Sequence, residues 1–382
     1  MSFNIDSIYL DYNATTPIEP VVLEVMMPYL ETHYGNPSSP HAYGLEAKNA
    51  IEEARSQVAS SLGCRPGEIF FTSGGTESNN MAIKGAAFQN KEHGKHIITS
   101  SIEHPAVTEV CRYLEKHGFE ITSLPVDEYG LVDPSDLREA ITEDTILVTI
   151  MHANNEVGTI QPVRELAGIC HERGILFHTD AAQTLGKIST DIPILGVDLM
   201  SIAGHKFYGP KGVGALFVKD GVELQKFMHG ADHESNRRAG TENVAQIVGL
   251  GKACEIATRD LNENQKHIRE MRDLLHRGIE AGGLDVRLNG HPEKRLPNTL
   301  SLGFNKFPVS DLLYALSDLA VSAGAACHGG DIDSSSVLKE MRVPDSYANG
   351  TIRFSVGKLT TREEIEKATG IVIKGVQQLS GD

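Results

Sequence analysis

Lys206 ends the run Ser-Ile-Ala-Gly-His-Lys at 201–206, where a strand-like segment gives way to a turn containing Gly209 and Pro210. An amine held at a strand end can form an imine with an aldehyde once its surroundings lower its pKa; on the surface it is only a solvated charge. Upstream, HTDAAQ at 178–183 puts Asp180 directly after an apolar run. A carboxylate there can keep a heteroaromatic ring nitrogen protonated, or simply cap a helix. In TSGGTESNN at 72–80, Gly74 and Gly75 stand where a helix should begin, and backbone amides at a helix start can cradle a phosphate. His104, in IEH at 102–104, could stack on an aromatic ring and exchange protons near neutral pH, or pack as an ordinary capped histidine.

Each element has an ordinary structural alternative, but together they follow the order of successive strand ends lining one crevice. An aldehyde partner, a protonated ring nitrogen and a phosphate describe pyridoxal 5'-phosphate. The elements that would position them alternate as expected. EIFFTS, HIITSSIEH, ILVTIMHAN, ILFHTD, DLMSIAG and GALFVK, between residues 68 and 219, are β-rich, and residues 79–88 and 163–173 carry helical spacing. Such alternation predicts a largely parallel sheet covered by helices. Beyond residue 250, the charged stretch 253–280 has helical periodicity and could link two domains. A smaller α+β unit would follow, with strands in TLSLGF and IRFSVG and a mobile loop at 321–336 rich in Gly, Ala, Ser and Asp. The expected division is a large domain over 15–260 and a small one from 1–14 and 261–382.

With 382 residues the chain is long enough for two cores. Its net charge of −16 opposes general nucleic-acid binding, and no apolar run has the length of a membrane span. The N-terminus lacks the basic start and apolar stretch of a signal peptide, so cytoplasmic residence is expected, and the charge balance makes a small-molecule substrate the expectation. The five cysteines contain no CxxC pair, which favours reduced thiols, and no metal site is expected.

The chain resembles the class V aminotransferases, and within them the cysteine desulfurases and selenocysteine lyases, over nearly its whole length. The resemblance is carried by LDYNATTP (10–17), YGNPSS (34–39), TSGGTESNN (72–80), SSIEH (100–104), ANNEVG (153–158), HTDAAQ (178–183), GHKFYGPKG (204–212), RAGTEN (238–243), AGAACH (323–328) and IRFSVGK (352–358). It implies an α/β fold of the aspartate-aminotransferase-like type I, with a mostly parallel central sheet plus a smaller α+β domain. It also implies that Lys206 holds the cofactor covalently, Asp180 pairs with its ring nitrogen and His104 stacks on the ring. Asn155 and Gln183 would contact the ring hydroxyl, and Gly75, Thr76 and His205 the phosphate. Thr241 would reach the phosphate of a neighbouring subunit, making the protein a homodimer. Arg353, together with Asn155, would hold the substrate carboxylate through a planar fork that lysine cannot reproduce. Cys327 corresponds to the family's mobile-loop cysteine, leaving Cys64, Cys111, Cys170 and Cys254 as packing residues.

Three departures stand out. Ala203 replaces a phosphate-binding serine typical of desulfurases that feed iron–sulfur assembly, and Ala231-Asp232-His233 replaces Gly-Gly-Gln before Glu234. The Cys-His pair at 327–328 and the HKFYGP run lean toward the lyases. The implied reaction removes sulfur or selenium from L-cysteine or L-selenocysteine, leaving L-alanine, either through a persulfide on Cys327 or by release of selenide. A protein acceptor of that sulfur or selenium is a candidate partner. Transamination or β-elimination of another amino acid remains an alternative because fold does not fix function, as does an inactive sulfur-transfer scaffold.

Overall fold

The computed structural model describes residues 7–323 and 335–381. From the N-terminus, the short β1 (Ile8–Tyr9) precedes the strands of the main sheet: β2 (Ile69–Thr72), β3 (His96–Ser100), β4 (Glu120–Leu124), β5 (Thr145–Thr149), β6 (Leu176–Asp180), β7 (Leu199–Ala203) and β8 (Gly214–Val218). Their order across the sheet is β2-β8-β7-β6-β5-β3-β4. The pairs β3–β4, β3–β5, β5–β6 and β6–β7 are parallel, whereas β8 runs antiparallel to both β2 and β7.

Period-two alternation explains why this sheet is buried on both faces. Ile98, Val148, Met200 and Ile202 join the core formed with α1 (Pro20–Glu31) and α2 (Ala42–Leu62). Their neighbours Ile97, Leu147 and Leu199 join an opposite core with α3 (Gly75–Asn90) and α4 (Pro105–Glu115). Consecutive residues point to opposite faces, so near-continuous apolar runs are what a doubly covered sheet demands. The edge strand β4 was missing from the sequence expectation. Its first residues are exposed or half-buried, so Glu120-Ile121-Thr122-Ser123 carries no buried-strand pattern.

A third core gathers Leu10, Ile268, Leu275, Phe304, Ile352 and Phe354 around the antiparallel order β12-β10-β9. These strands are β9 (Val286–Asn289), β10 (Thr299–Phe304) and β12 (Thr351–Ser355), while β11 (Leu319–Ala320) pairs in parallel with β1. The strands expected in TLSLGF and IRFSVG are β10 and β12. The charged stretch expected as one helical run is interrupted at Asp260, which separates the helices Val244–Arg259 and Leu261–Ala281. The first helix contributes Ile247, Leu250 and Cys254 to the core beneath the main sheet; the second contributes Ile268 and Leu275 to the third core. Most of the loop expected at 321–336 lies outside the described residues.

Candidate active site

Strand β2 ends at Thr72, and Gly74, at φ 141°, lets the chain swing directly into α3. The α3 N-terminus has no side-chain cap, so its first-turn amides are open to a ligand. Glu77 steadies this turn by accepting the Ser73 amide at 2.7 Å and pairing with Arg238 at 2.8 Å. Strand β3 leads to His104, whose Nδ1 accepts the Ala106 amide at 3.1 Å and caps α4. That contact leaves Nε2 as the proton-bearing nitrogen of the neutral ring.

Strand β6 ends at Asp180, which is buried. Its Oδ2 accepts from Asn79 at 2.6 Å and its Oδ1 from the Ala182 amide at 2.9 Å. The helix cap weighed against a chemical role does not form, because 182–187 run as turns; the Ala182 contact instead steadies that turn while the carboxylate lines the cavity. Strand β7 runs into the short turn Gly204–Lys206. Lys206 Nζ donates to the carbonyls of Asn13 and Ala14 at 2.8 and 2.9 Å. Burial, followed by the Arg353 charge, lowers its amine to about 8, with Asp180 and Asp11 opposing the shift. Burial and the nearby lysines lower His205 to about 4, so its ring is neutral at physiological pH.

Gly75, Thr76, His104, Asn155, Asp180, Gln183, His205 and Lys206 line one cavity of about 160 Å³. Arg353, on β12, adjoins this group: Nη1 donates to the Asn155 carbonyl at 3.0 Å and Nη2 to Asp11 Oδ1 at 2.7 Å. Thr241 is exposed and does not line the cavity. Cys327 lies outside the described residues. Ala203 lines the cavity without a hydroxyl, as its sequence implies. The departure at 231–233 leads into a left-handed run, Glu234, Ser235 and Asn236, at φ 47°, 54° and 64°. Buried Glu234 anchors that run by accepting two 2.8 Å bonds from Arg55 and one of 2.8 Å from the Phe71 amide.

Four residues in this neighbourhood had no role in the sequence reading. Asn79 holds Asp180, and Asp11 holds Arg353. The backbone carbonyl of Asn13 accepts from both Lys206 and Gln183. Buried Lys187 donates to Gln183 Oε1 at 3.0 Å, and burial lowers its amine to about 7. Three of the four lie inside motifs already singled out, which was the available signal; Lys187 lies four residues beyond Gln183, outside them.

The class V aminotransferase family model matches residues 8–368. The chain belongs to the class V aminotransferase family. Its relatives are cysteine desulfurases: it is 50% identical over 374 residues to "Cysteine desulfurase IscS" of Dictyoglomus turgidum, covering 97% of this chain and 95% of that one. A solved "NifS-like protein" is 40% identical, with TM-score 0.92 and coverage of 97% of this chain and 99% of that chain. Another solved structure, "SspA in complex with cysteine", is 36% identical, with TM-score 0.82 and coverage of 93% and 100%. The architecture is therefore the type I fold of these enzymes, with β8 as the antiparallel member of an otherwise mostly parallel sheet. Among the described residues no helix is long and apolar enough to cross a membrane, and no group of His, Cys, Asp or Glu could hold a metal ion.

Proposed function

We propose that the protein is a pyridoxal-phosphate-dependent cysteine desulfurase that converts L-cysteine to L-alanine and passes the sulfur through Cys327. The observation that carries this reading is the meeting of the Lys206 amine, the Asp180 carboxylate and the uncapped α3 start in one cavity. This donor set fits the cofactor group by group: Lys206 for the aldehyde, Asp180 for the ring nitrogen, His104 for the ring face. Asn155 and Gln183 would serve the ring hydroxyl; Gly75, Thr76 and neutral His205 would serve the phosphate.

When bound, the pyridoxal ring supplies an electron sink for the substrate α-carbon. Lys206 Nζ, with its amine lowered to about 8, is available to take and return a proton near neutral pH. His104 can pass a proton from Nε2, because Nδ1 is committed to the Ala106 amide. Arg353 orients the substrate carboxylate beside Asn155. The thiolate of Cys327 attacks the substrate sulfur, so the carbon–sulfur electron pair stays with carbon and is protonated on the way to alanine.

Thr241, exposed in the single chain, would complete the phosphate site of a second copy in a cytoplasmic homodimer, and a protein acceptor would take the sulfur from Cys327. The test is alanine formation from cysteine by purified protein with a visible absorption band, and loss of both in Lys206→Ala. A protein that binds no aldehyde cofactor, or that transaminates cysteine without forming alanine, would overturn the reading. Initial rates on selenocysteine measure how far the activity extends to selenium.

A further inference from the structure

Arg353 is not an unpaired cation awaiting a substrate. Its Nη2 donates to Asp11 Oδ1 at 2.7 Å, and the side chains are only 6% and 21% exposed respectively, so solvent screens the pair weakly. Asp11 is brought there by its backbone, which bridges Ser355, two residues beyond Arg353 on β12. Arg353 Nη1 and Nη2 each carry a second N–H beyond the one already donated, so the guanidinium keeps donors for an incoming carboxylate. Asp11 Oδ2 has no hydrogen bond among the described residues.

The Lys206 amine lies within the electrostatic reach of both partners: Arg353 disfavours its charge and Asp11 favours it. An amino acid whose amine must approach Lys206 therefore places its ammonium in the field of Asp11 while its carboxylate reaches Arg353. We propose that Asp11 is a specificity-determining residue, admitting ligands that bring an ammonium together with a carboxylate and rejecting those that bring a carboxylate alone. The physical reason is charge alternation. A bare carboxylate would put two like charges on one guanidinium, whereas an ammonium beside Asp11 makes each charge a neighbour of its opposite.

The inference rests on the desulfurase reading, in which Arg353 receives the substrate carboxylate, and its test separates the two. L-Alanine and propionate differ only in the ammonium, and neither carries sulfur to be removed. Calorimetric titration of the cofactor-loaded protein, its linkage to Lys206 first reduced with borohydride so that alanine's amine cannot exchange with it, gives both affinities for the wild type, for Asp11→Asn and for Asp11→Ser, the second variant guarding against a defect peculiar to asparagine. The expected result is that both variants bind propionate roughly tenfold more tightly, and that the preference for alanine over propionate falls at least about tenfold, the scale of one hydrogen bond to a charged group. An unchanged preference in the folded variants overturns the proposal, including the case in which both ligands weaken together because Asp11 only props up Arg353. If the wild type releases alanine from cysteine, such a result removes Asp11's role and leaves the desulfurase reading standing. If it releases none, that reading fails by its own measurement.

Discussion

Asn79 donates to Asp180 Oδ2 at 2.6 Å while the Ala182 amide donates to Oδ1 at 2.9 Å, so the carboxylate is held from two sides at the end of β6. Its orientation is fixed before any ligand arrives. Asp180→Asn should keep an acceptor for the Ala182 amide and therefore keep the fold, but it removes the charge that keeps a ring nitrogen protonated. Turnover in the folded protein should fall by several orders of magnitude, read from alanine formation. A role only in holding that turn would instead cost about 0.5–2 kcal/mol of stability, on the scale of a lost side-chain cap, with turnover nearly intact.

Lys206 is the next test. In the cofactor-free protein, an amine-directed reagent should modify Lys206 half-maximally near pH 8, because burial and the Arg353 charge lower its amine to about 8. Mapping by mass spectrometry separates it from Lys187, which is lowered to about 7, and from exposed lysines, which react only at higher pH. Lys206→Ala should fold, lose the visible band of the loaded enzyme and lose turnover. Near-native turnover with the band intact would withdraw the assignment.

The strand ends of the main sheet were legible because β2, β3, β5, β7 and β8 are buried throughout and their apolar runs stop where Thr72, Ser100 and Ala203 begin polar turns. The contacts among those ends were not legible. Asn13 and Gln183 are 170 positions apart, and Asp11 and Arg353 are 342 apart. No periodicity within a segment encodes such pairings. Lys187 was missed for a related reason: a lone lysine reads as a surface charge, and only its burial beside Gln183 gives it another meaning. The break at Asp260 was invisible because residues on both sides of it keep helical spacing.

Glu103 gives a pH test independent of the cofactor. It is fully buried among polar donors, accepting at Oε1 from Ser100 Oγ at 2.5 Å and the Met151 amide at 2.9 Å, and burial pushes its carboxyl up to about 8. A carboxyl raised in the folded state keeps its proton where the unfolded chain has lost it. Its contribution to stability is therefore full below the unfolded value near 4.5 and is lost as pH rises through 8. Glu103→Gln should flatten that decline, as seen in urea unfolding at pH 5, 7 and 9. Parallel curves for variant and wild type would mean that Glu103 is ionised in the folded protein.

For Arg353→Lys the charge survives but the two-armed contact to Asp11 and the Asn155 carbonyl does not. The Michaelis constant for cysteine should rise roughly tenfold to a hundredfold, the scale of one charged hydrogen bond, with a smaller change in kcat. Unchanged saturation would place the substrate carboxylate elsewhere.

The last prediction concerns the thiol. A cysteine that accepts sulfur must be a thiolate near neutral pH, and burial pushes the thiols of Cys64, Cys111 and Cys170 up to about 12, with Cys254 raised as well. None of these can supply the nucleophile, which leaves Cys327 as the residue to test. Cys327→Ser should abolish cysteine desulfuration, because a serine hydroxyl stays un-ionised and cannot hold sulfane sulfur. Selenolate is the better leaving group, so selenide can depart with less help, and the same variant should keep a measurable fraction of activity on selenocysteine, with alanine as product. Equal survival of both activities would remove Cys327 as nucleophile, and equal loss would make the thiol obligatory for either substrate. Mass-spectrometric mapping of the sulfane adduct on the wild type should find it on Cys327. An adduct on one of these four thiols, three of them buried and Cys64 half-buried, with Cys327 unmodified, would move the sulfur-accepting step to that thiol's part of the fold.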